Sequence, residues 1–353
     1  MSALCRHFGT CGGCTFQDMP AKEYLAFKQA QVVEALARHG LDGVSVDHPL
    51  AVPPATRRRA SLKAVKLDGA VAIGFRAARS HKIVDMQECR VLTPALAAAV
   101  QALRPALNGL LQGDEETELL LTEAENGIVF DLNGKRSANA TRSAALAQWA
   151  ARNRVARIAV NGDVVVQLDE PVVRLAGIGV RLPPDAFLQP TREGEAFLQE
   201  RVRDAMKGAP RVADLFAGCG TFALALAGTA RVHAVDFTAS ALSALLAAAR
   251  RTAALKPVTI ERRDLFKQPL QPNELNAFQG VVLDPPRAGA LAQVRALAAS
   301  KVGRAVYVSC NPESFARDAR ILVEGGFCLR QVAPVDQFLW SSHIELVAHF
   351  ERR

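Results

Sequence analysis

The fold is decided by the stretch Arg211-Val212-Ala213-Asp214-Leu215-Phe216-Ala217-Gly218-Cys219-Gly220-Thr221, which is typical of a strand, a glycine turn and a helix start. The next predicted strand ends on Asp236, 22 positions after Asp214. Two later apolar strands end on Asp264 and Asp284, the second followed by Pro285-Pro286-Arg287. Strands that repeatedly end on acids and alternate with helices predict an α/β fold with a Rossmann-like sheet and helices on both faces.

The glycine turn indicates what such a sheet would bind. A glycine turn after the first strand and an acid after the second suit a cofactor that carries a nucleoside, because the backbone approaches closely and the carboxylate binds the ribose. This turn has two glycines, Gly218 and Gly220, where dinucleotide folds have three. An acid, Asp214, precedes it, which suits a positively charged ligand better than a phosphate. The pattern favours S-adenosylmethionine over NAD, and packing alone is the alternative.

A later strand ends on a cysteine. Val306-Tyr307-Val308-Ser309-Cys310-Asn311-Pro312 is an apolar strand followed by an Asn-Pro turn and a predicted helix. The carboxyl end of a strand is where open α/β folds collect ligands and chemistry, and free N–H groups at the helix start favour thiolate over thiol. The alternative is that Cys310 is a small buried thiol of the core.

Three cysteines near the amino terminus, Cys5, Cys11 and Cys14, follow a C-x5-C-x2-C spacing among glycines. Two cysteines separated by two residues can bind one metal ion or cluster, and Cys89 is the natural fourth ligand. A [4Fe–4S] cluster and a structural zinc both accept four cysteines, and with zinc His7 could compete as a ligand. The remaining alternative is a chance group of free thiols.

The first half of the chain has the alternation of β-strands and an excess of basic residues. Ser61–Leu67 alternates and is followed by Asp68-Gly69, which predicts a hairpin, and further strands are expected at 119–122, 128–132 and 164–168. Residues 51–90 contain nine Lys or Arg and three acidic residues. Residues 135–160 contain six Lys or Arg and no acidic residue. The acidic stretch 114–118 lies between them. Two basic segments predict a nucleic-acid face that includes Arg57-Arg58-Arg59, Lys63 and Lys66, although each alone could be a solvated face.

Size and composition agree with a two-part intracellular protein. The chain has 353 residues, 50% of them hydrophobic, and a formal net charge of +8, which favours a polyanionic partner. No apolar run reaches membrane-spanning length, no signal peptide is recognisable, and no obligate protein partner is evident. Seven cysteines without an export signal indicate a reducing cytoplasm, and therefore metal-binding or catalytic thiols.

The sequence resembles the RNA 5-methyluridine (uracil-C5) methyltransferases over nearly its whole length. The motifs that carry this resemblance are, in order, Phe187-Leu188-Gln189, Asp214-Leu215-Phe216-Ala217-Gly218-Cys219-Gly220, Asp284-Pro285-Pro286-Arg287, Ser309-Cys310-Asn311-Pro312 and His343-Ile344-Glu345. The amino-terminal cysteines resemble the [4Fe–4S] site of the members that act on 23S ribosomal RNA. Three features depart from the usual pattern. Only four residues precede Cys5, where the family usually has a small β-barrel RNA-binding domain, Thr191 stands for a common Asn, and Asp236 stands for a common Glu.

The resemblance implies a division of the chain and a set of site residues. Residues 1–90 would hold the iron–sulfur cysteines and the start of a mainly-β RNA-binding domain, 91–182 its remainder, and 183–353 a class I S-adenosylmethionine-dependent methyltransferase domain. Without a barrel, binding of RNA falls to the basic β half, with ribosomal RNA favoured over transfer RNA. The implied residues are Cys310 as nucleophile, Glu345 as base, Gln189, Phe216, Asp236 and Asp284 (with Asp264 as a weaker addition) for the cofactor, and Cys5, Cys11, Cys14 and Cys89 for the cluster.

The chemistry of uracil explains these residue types. Carbon C5 is too weak a nucleophile to take a methyl group directly, so a thiolate must first add to C6. A base must then remove the C5 proton so that the thiol can leave. Cys310 and Glu345 fit these two roles, and His343 is a weaker substitute for the base. The uridine must leave any stack, and Phe315, Phe338 and Trp340 are either candidates to stack on it or core residues.

Two other functions remain open from the sequence. A transfer-RNA methyltransferase would act on the same uridine carbon. A non-catalytic RNA-binding iron–sulfur protein would carry a vestigial cofactor fold, although intact Cys310 and Glu345 argue against it. In each case the cluster is expected to be structural, because the transfer chemistry needs no electron.

Overall fold

The computed structural model describes residues 4–111, 115–135 and 140–352. Its first half contains α1 (Ala21–Arg38), β1 (Leu50–Ala51), β2 (Arg59–Leu67), β3 (Ala70–Gly74), α2 (Pro94–Leu110), β4 (Thr117–Ala124), β5 (Gly127–Asn133), α3 (Ala140–Arg152), β6 (Val155–Val160), β7 (Asp163–Gln167), β8 (Val172–Leu175) and β9 (Ile178–Arg181). Its second half contains α4 (Arg192–Ala205), β10 (Arg211–Leu215), α5 (Ala223–Leu226), β11 (Arg231–Asp236), α6 (Ala239–Arg250), β12 (Val258–Arg262), α7 (Pro272–Leu275), β13 (Gly280–Leu283), α8 (Leu291–Ala298), β14 (Arg304–Ser309), α9 (Pro312–Glu324), β15 (Phe327–Asp336) and β16 (Glu345–Arg352).

Eight strands of the described chain form one sheet in the order β1-β15-β16-β14-β13-β10-β11-β12. Strands β10 to β14 run parallel to one another, and β16 is antiparallel to both β14 and β15. The central strand β13 is buried along its whole length because apolar side chains cover both faces of the sheet. The predicted Rossmann-like sheet is therefore confirmed.

The chain order reverses around β10, and this reversal locates the site. Strand β10 pairs with β11 on one side and with β13 on the other, so the loops after β10 and β13 separate toward opposite faces. In open α/β sheets the crevice outside the carboxyl ends of the strands at such a reversal is the usual ligand site. The strand ends with Phe216, Asp284 and Cys310 all open at this edge.

A second sheet of the described chain has six strands in the order β3-β2-β4-β5-β6-β7. The predicted hairpin joins β2 and β3, and Asp68 and Gly69 both have positive φ (48° and 80°), as a tight two-residue turn requires. Helices α2 and α3 contact this sheet as well, so the first half is mixed rather than mainly β. The alternation of the strands did not reveal α2, whose alanine-rich sequence contains Pro105.

Helix α1 and strand β1 pack with the eight-stranded sheet rather than with the six-stranded one. Strand β1 pairs in parallel with β15, and α1 contacts α9. Lys28 of α1, fully buried, lies 2.8 Å from Asp336 at the end of β15 and also donates to the carbonyl of His343. Residues 21–51 thus belong by packing to the methyltransferase-like half, whereas the sequence division placed them with the amino-terminal part.

The arginines expected on a basic face lie instead at the junction of the two halves. Arg58 is 2% exposed, and its Nη2 donates to Glu195 of α4 at 2.6 Å. Burial lowers the pKa of Arg57 and of Arg59. Lys63 and Lys66 do lie at the surface of β2, where Lys63 faces Glu118 at 3.8 Å.

Parts of the predicted charged segments fall outside the residues that the structure describes. These are Asp114 of the acidic stretch, Arg136 of the second basic segment and the side chain of Arg142. Among the helices of the described residues, none is both long enough and apolar enough to span a bilayer.

Candidate active site

A cavity of 540 Å³ opens at the carboxyl edge of the eight-stranded sheet. All seven residues that the sequence assigned to catalysis and cofactor binding line it: Gln189, Phe216, Asp236, Asp264, Asp284, Cys310 and Glu345. They come from seven separate places in the chain, brought together because parallel strands end at one edge. The structure therefore collects the predicted set in one place.

Cys310 follows β14 directly and precedes α9. The side chain of Asn311 caps this helix by accepting from the backbone N–H of Glu313 at 3.1 Å, and its Nδ2 donates to the carbonyl of Arg287 at 2.9 Å. Burial, and then the nearby Glu345, raise the pKa of the Cys310 thiol to about 11, although Arg287 acts in the opposite direction. The sequence argument that the helix start would favour thiolate is thus outweighed by burial.

Glu345 is the first residue of β16 and is 4% exposed. Its Oε2 accepts from Nε2 of Gln337 at 3.1 Å. Burial raises the pKa of Glu345 well above its usual range, and the charge of Asp284 raises it further. A carboxyl group that holds a proton this readily is suited to act as a proton acceptor near neutral pH.

Asp284 and Gln189 form the adjoining wall of the cavity. Nε2 of Gln189 lies 3.4 Å from Oδ2 of Asp284, and burial raises the pKa of Asp284 to about 7. Pro285 and Pro286 follow and restrict the loop that carries Arg287. The two carboxyl groups, Asp284 and Glu345, thus share one cavity and oppose each other's ionisation.

The turn after β10 has the backbone shape that a nucleoside site needs. Phe216, Gly218 and Gly220 have positive φ (64°, 52° and 97°), and a Cβ at Gly220 would lie 2.4 Å from Leu245. The N–H of Gly218 donates to Oδ2 of Asp236 at 2.9 Å. Positive φ at a phenylalanine is strained, and such strain is concentrated at functional sites.

Of the three aromatic residues that the sequence offered for stacking on a base, one lines the cavity. Phe338 lines the cavity. Phe315 is fully buried in the core against Tyr307 and Phe350, so it cannot reach a substrate. Trp340 and His343 do not line this cavity, whereas Glu345 does.

A second cavity of 280 Å³ is lined by Cys5, Cys11, Cys14 and Cys89. His7, Arg57, Phe338 and His343 also line it. A Cβ at Gly12 would lie 2.8 Å from the carbonyl of Arg76, so only a glycine allows the backbone to approach this closely here. Burial raises the pKa of each of the four thiols, that of Cys14 to about 12. As they stand, the described residues contain no group of three or more His, Cys, Asp or Glu at metal-binding geometry.

Two site features were missed from the sequence. Gln337 bridges Glu345 and Gln189, and only its place in the segment 336–345, beside other quoted motif residues, could have indicated it. Asp214 was considered for its charge, but its burial was not foreseen. It is completely buried, neither carboxyl oxygen has a hydrogen-bond partner in the described chain, and burial raises its pKa well above the usual range.

The fold and site together define an α/β methyltransferase. Comparison with known proteins supports this: the tRNA (uracil-5-)-methyltransferase family matches residues 135–353. An RNA methyltransferase of Agrobacterium fabrum, itself described as uncharacterized, is 41% identical over 99% of this chain and 85% of its own length. The 23S rRNA (uracil(1939)-C(5))-methyltransferase RlmD of Pectobacterium atrosepticum is 32% identical over 98% of this chain and 79% of its own length.

One solved structure extends the likeness to the fold of nearly the whole chain. It is the Pyrococcus abyssi tRNA (uracil-54, C5)-methyltransferase in complex with S-adenosyl-L-homocysteine, with a TM-score of 0.75 and 24% identity over 96% of this chain and 85% of that one. The chain belongs to the tRNA (uracil-5-)-methyltransferase family and is an RNA methyltransferase.

Proposed function

We propose that this protein methylates C5 of a uridine in RNA with S-adenosylmethionine, through a covalent bond between Cys310 and C6. One observation carries the proposal: the only two groups that this chemistry needs, a thiol and a carboxyl proton acceptor, line the same cavity as the predicted cofactor residues. A binding protein without activity would not need Cys310 and Glu345 on one cavity with Asp284.

Cys310 begins the reaction by adding its sulfur to C6. Its raised pKa keeps the thiol protonated in the free protein, so its proton passes to solvent water as the sulfur adds to C6. Arg287, whose charge acts to lower that pKa, is the cationic group placed to assist. The new bond makes C5 electron-rich. S-adenosylmethionine, when bound, supplies the electrophilic methyl group that this carbon accepts.

Glu345 completes the reaction. It accepts the C5 proton, the electron pair restores the C5–C6 double bond, and the bond from C6 to the sulfur of Cys310 breaks. Burial raises the pKa of Glu345, so its ionised carboxylate is a stronger base than that of an exposed glutamate. His343 lines the neighbouring cavity instead and is not placed for this role.

The cofactor residues divide by chemistry. Asp236 is suited to the ribose hydroxyls, Asp264 to the adenine amino group, and Phe216 to the face of the adenine. Gln189 and Asp284 lie nearer to Glu345 and Cys310 and suit the amino acid end of the cofactor, whose ammonium favours a carboxylate.

The cysteine cavity is proposed to hold a structural [4Fe–4S] cluster. Four cysteines line a single 280 Å³ space, which is larger than one zinc ion needs, and Gly12 and Gly13 line it as well. The test is metal and sulfide analysis of protein purified without oxygen. Iron with acid-labile sulfide and a visible absorbance that reduction bleaches is expected, with Cys328→Ser as the matched control for Cys14→Ser; stoichiometric zinc would refute it.

The proposed target is 23S ribosomal RNA. Support comes from the relative at 32% identity that acts on that RNA and from the amino-terminal cysteines. Mass mapping of 5-methyluridine in ribosomal and transfer RNA, from cells with and without this gene, tests it. Loss of one site in 23S RNA is expected. Loss of 5-methyluridine from transfer RNA would show that transfer RNA is the target. If no 5-methyluridine is lost, the proposed function is refuted.

A further inference from the structure

A chain of hydrogen bonds along the cavity wall connects the two sides of the site. Gln337, in the connection between β15 and β16, is 1% exposed. Its Nε2 donates to Oε2 of Glu345 at 3.1 Å and to Oε1 of Gln189 at 2.7 Å. Gln189 in turn donates to Asp284 at 3.4 Å. The carboxyl group of Glu345 is therefore tied through two amides to the cofactor side of the cavity.

The chemistry of a primary amide fixes the direction of these contacts. Nε2 of a glutamine carries two hydrogens, and an ionised carboxylate can only accept. Both hydrogens of Nε2 of Gln337 are therefore donated, one to Glu345 and one to Gln189. Its Oε1 has no hydrogen-bond partner in the described chain. A side chain of equal length without N–H would leave two buried acceptors unpaired, which is unfavourable.

The position of the amide is set by its surroundings. A Cβ at Gly194 of α4 would lie 2.5 Å from Oε1 and 3.1 Å from Cβ of Gln337, so the helix backbone touches the amide. The preceding residue, Asp336, is held by Lys28 at 2.8 Å and by the hydroxyl of Tyr24 at 2.5 Å. Gln337 is thus confined on one side by α4 and on the other by buried contacts.

We propose that Gln337 is a positioning residue that holds Glu345 for removal of the C5 proton. The inference rests on the proposed function. In that step the C5–H bond breaks and its proton passes to Glu345; the electron pair forms the C5–C6 double bond, and the C6–sulfur bond breaks with its electrons returning to Cys310. The amide engages only Oε2, so Oε1 remains for the proton. Addition of sulfur and acceptance of the methyl group precede this step and do not use Glu345 as a base.

The test is a Gln337→Met variant, which keeps the length of the side chain and removes both donors. RNA from cells that lack the gene is incubated with methyl-labelled S-adenosylmethionine at saturating concentration. Protein–RNA adducts are then separated under denaturing conditions and their label is counted. We expect a methyl-labelled adduct to accumulate and release of methylated RNA to slow by about 10- to 100-fold, the effect of one charged hydrogen bond. Glu345→Gln supplies the reference for a full block.

Two further variants isolate the cause. Gln293→Met removes another buried amide, which exchanges two hydrogen bonds with the backbone of Leu270 outside the cavity, and should release RNA at the wild-type rate. Gly194→Ala should displace Gln337 and cause the same labelled adduct, and it decides the question if Gln337→Met does not fold.

The outcomes separate this inference from the function on which it rests. Wild-type release by Gln337→Met would overturn the inference, and so would loss of methylation without a labelled adduct, because the defect would then precede methyl transfer. If the wild-type protein forms neither methylated RNA nor adduct, the proposed function fails instead.

Discussion

The catalytic cavity and the cysteine cavity share a wall at Phe338 but are built in different ways. In the catalytic cavity, side chains are fixed by hydrogen bonds from the protein, such as those of Gln337 and the one from Gly218 to Asp236. In the cysteine cavity, Cys11 accepts from the N–H of its neighbour Gly13 at 3.4 Å, and the thiol of Cys5 interacts with the carboxylate of Glu88. The first is organised by hydrogen bonds within the protein, whereas the proposed cluster would connect the four thiols of the second.

The largest expected effect separates the roles of the two sets of cysteines. Cys310→Ala should abolish methylation, by on the order of 10⁴-fold or more, because no other thiol lines the catalytic cavity. Binding of S-adenosylhomocysteine, measured by calorimetry, should be retained. Cys14→Ser should instead lower thermal stability and metal content together. Full methylation by Cys310→Ala would refute the covalent mechanism.

The next effect concerns residues 336–345, which contribute side chains to both cavities. Lys28 and Asp336 are both completely buried and anchor the start of this segment. Lys28→Met leaves the carboxylate of Asp336 without its cation, so the free energy of unfolding should fall by about 3–5 kcal/mol. Urea unfolding measures this.

Arg38→Met, on the same helix, is the matched control. The pair of Arg38 with Glu313 is exposed on both sides, and exposed pairs contribute about 0–1 kcal/mol. If the free energy of unfolding falls equally in the two variants, the buried pair of Lys28 and Asp336 is no more stabilising than the exposed pair, and the prediction is wrong.

Most of the catalytic cavity could be predicted from the sequence because Asp236, Asp284 and Cys310 lie at or directly after strand ends, whereas Gln189, which precedes α4, was implied by the family resemblance. Once the buried strands before Asp236, Asp284 and Cys310 are recognised, the geometry of a parallel sheet brings their ends together. Gln337 could not be found in this way, since its partners Gln189 and Glu345 meet it only in the folded chain. Its importance depends on three-dimensional contacts that no spacing encodes.

The cysteine cavity and the basic face show a different limit. Spacing predicted that four cysteines would share one place, and they do line one cavity. Charge alone could not show that Arg58 forms a buried ion pair with Glu195, because charge counts carry no information on burial. In the same way, the sequence alone did not indicate that α1 would pack against α9, because that contact joins distant parts of the chain.

A smaller effect tests the cofactor half of the catalytic cavity. Asp236→Ala should weaken binding of S-adenosylhomocysteine by about 10- to 100-fold, because the carboxylate orders the turn at Gly218 and is proposed to bind the ribose. High cofactor concentration should restore most of the methylation rate. Asp264→Ala should weaken binding of S-adenosylhomocysteine less than Asp236→Ala does. A larger loss of affinity in Asp264→Ala would contradict the roles proposed for the two aspartates.

The smallest effect uses pH to distinguish the two cavities. Burial raises the pKa of Asp284 from 3.8 to about 7, so the folded protein binds this proton more tightly than the unfolded chain. The resulting stability is complete below about pH 4 and is lost as pH rises through about 7. The free energy of unfolding of the cofactor-free protein should therefore fall by about 1–3 kcal/mol between pH 5 and 8. In the metal-free protein the thiols of the cysteine cavity titrate above this range, because burial raises their pKa from 9, and with the proposed cluster bound they carry no proton to lose.

Asp284→Asn identifies the source of that pH dependence. Urea unfolding of this variant should show a flatter pH profile over the same range, since the amide does not titrate. Glu345, whose pKa is also raised, acts in the same direction and leaves a residual slope. His343, whose pKa burial lowers, acts in the opposite direction, because its protonation favours the unfolded chain as pH falls. An unchanged slope in Asp284→Asn would show that Asp284 is not the source of the pH dependence and would contradict this assignment.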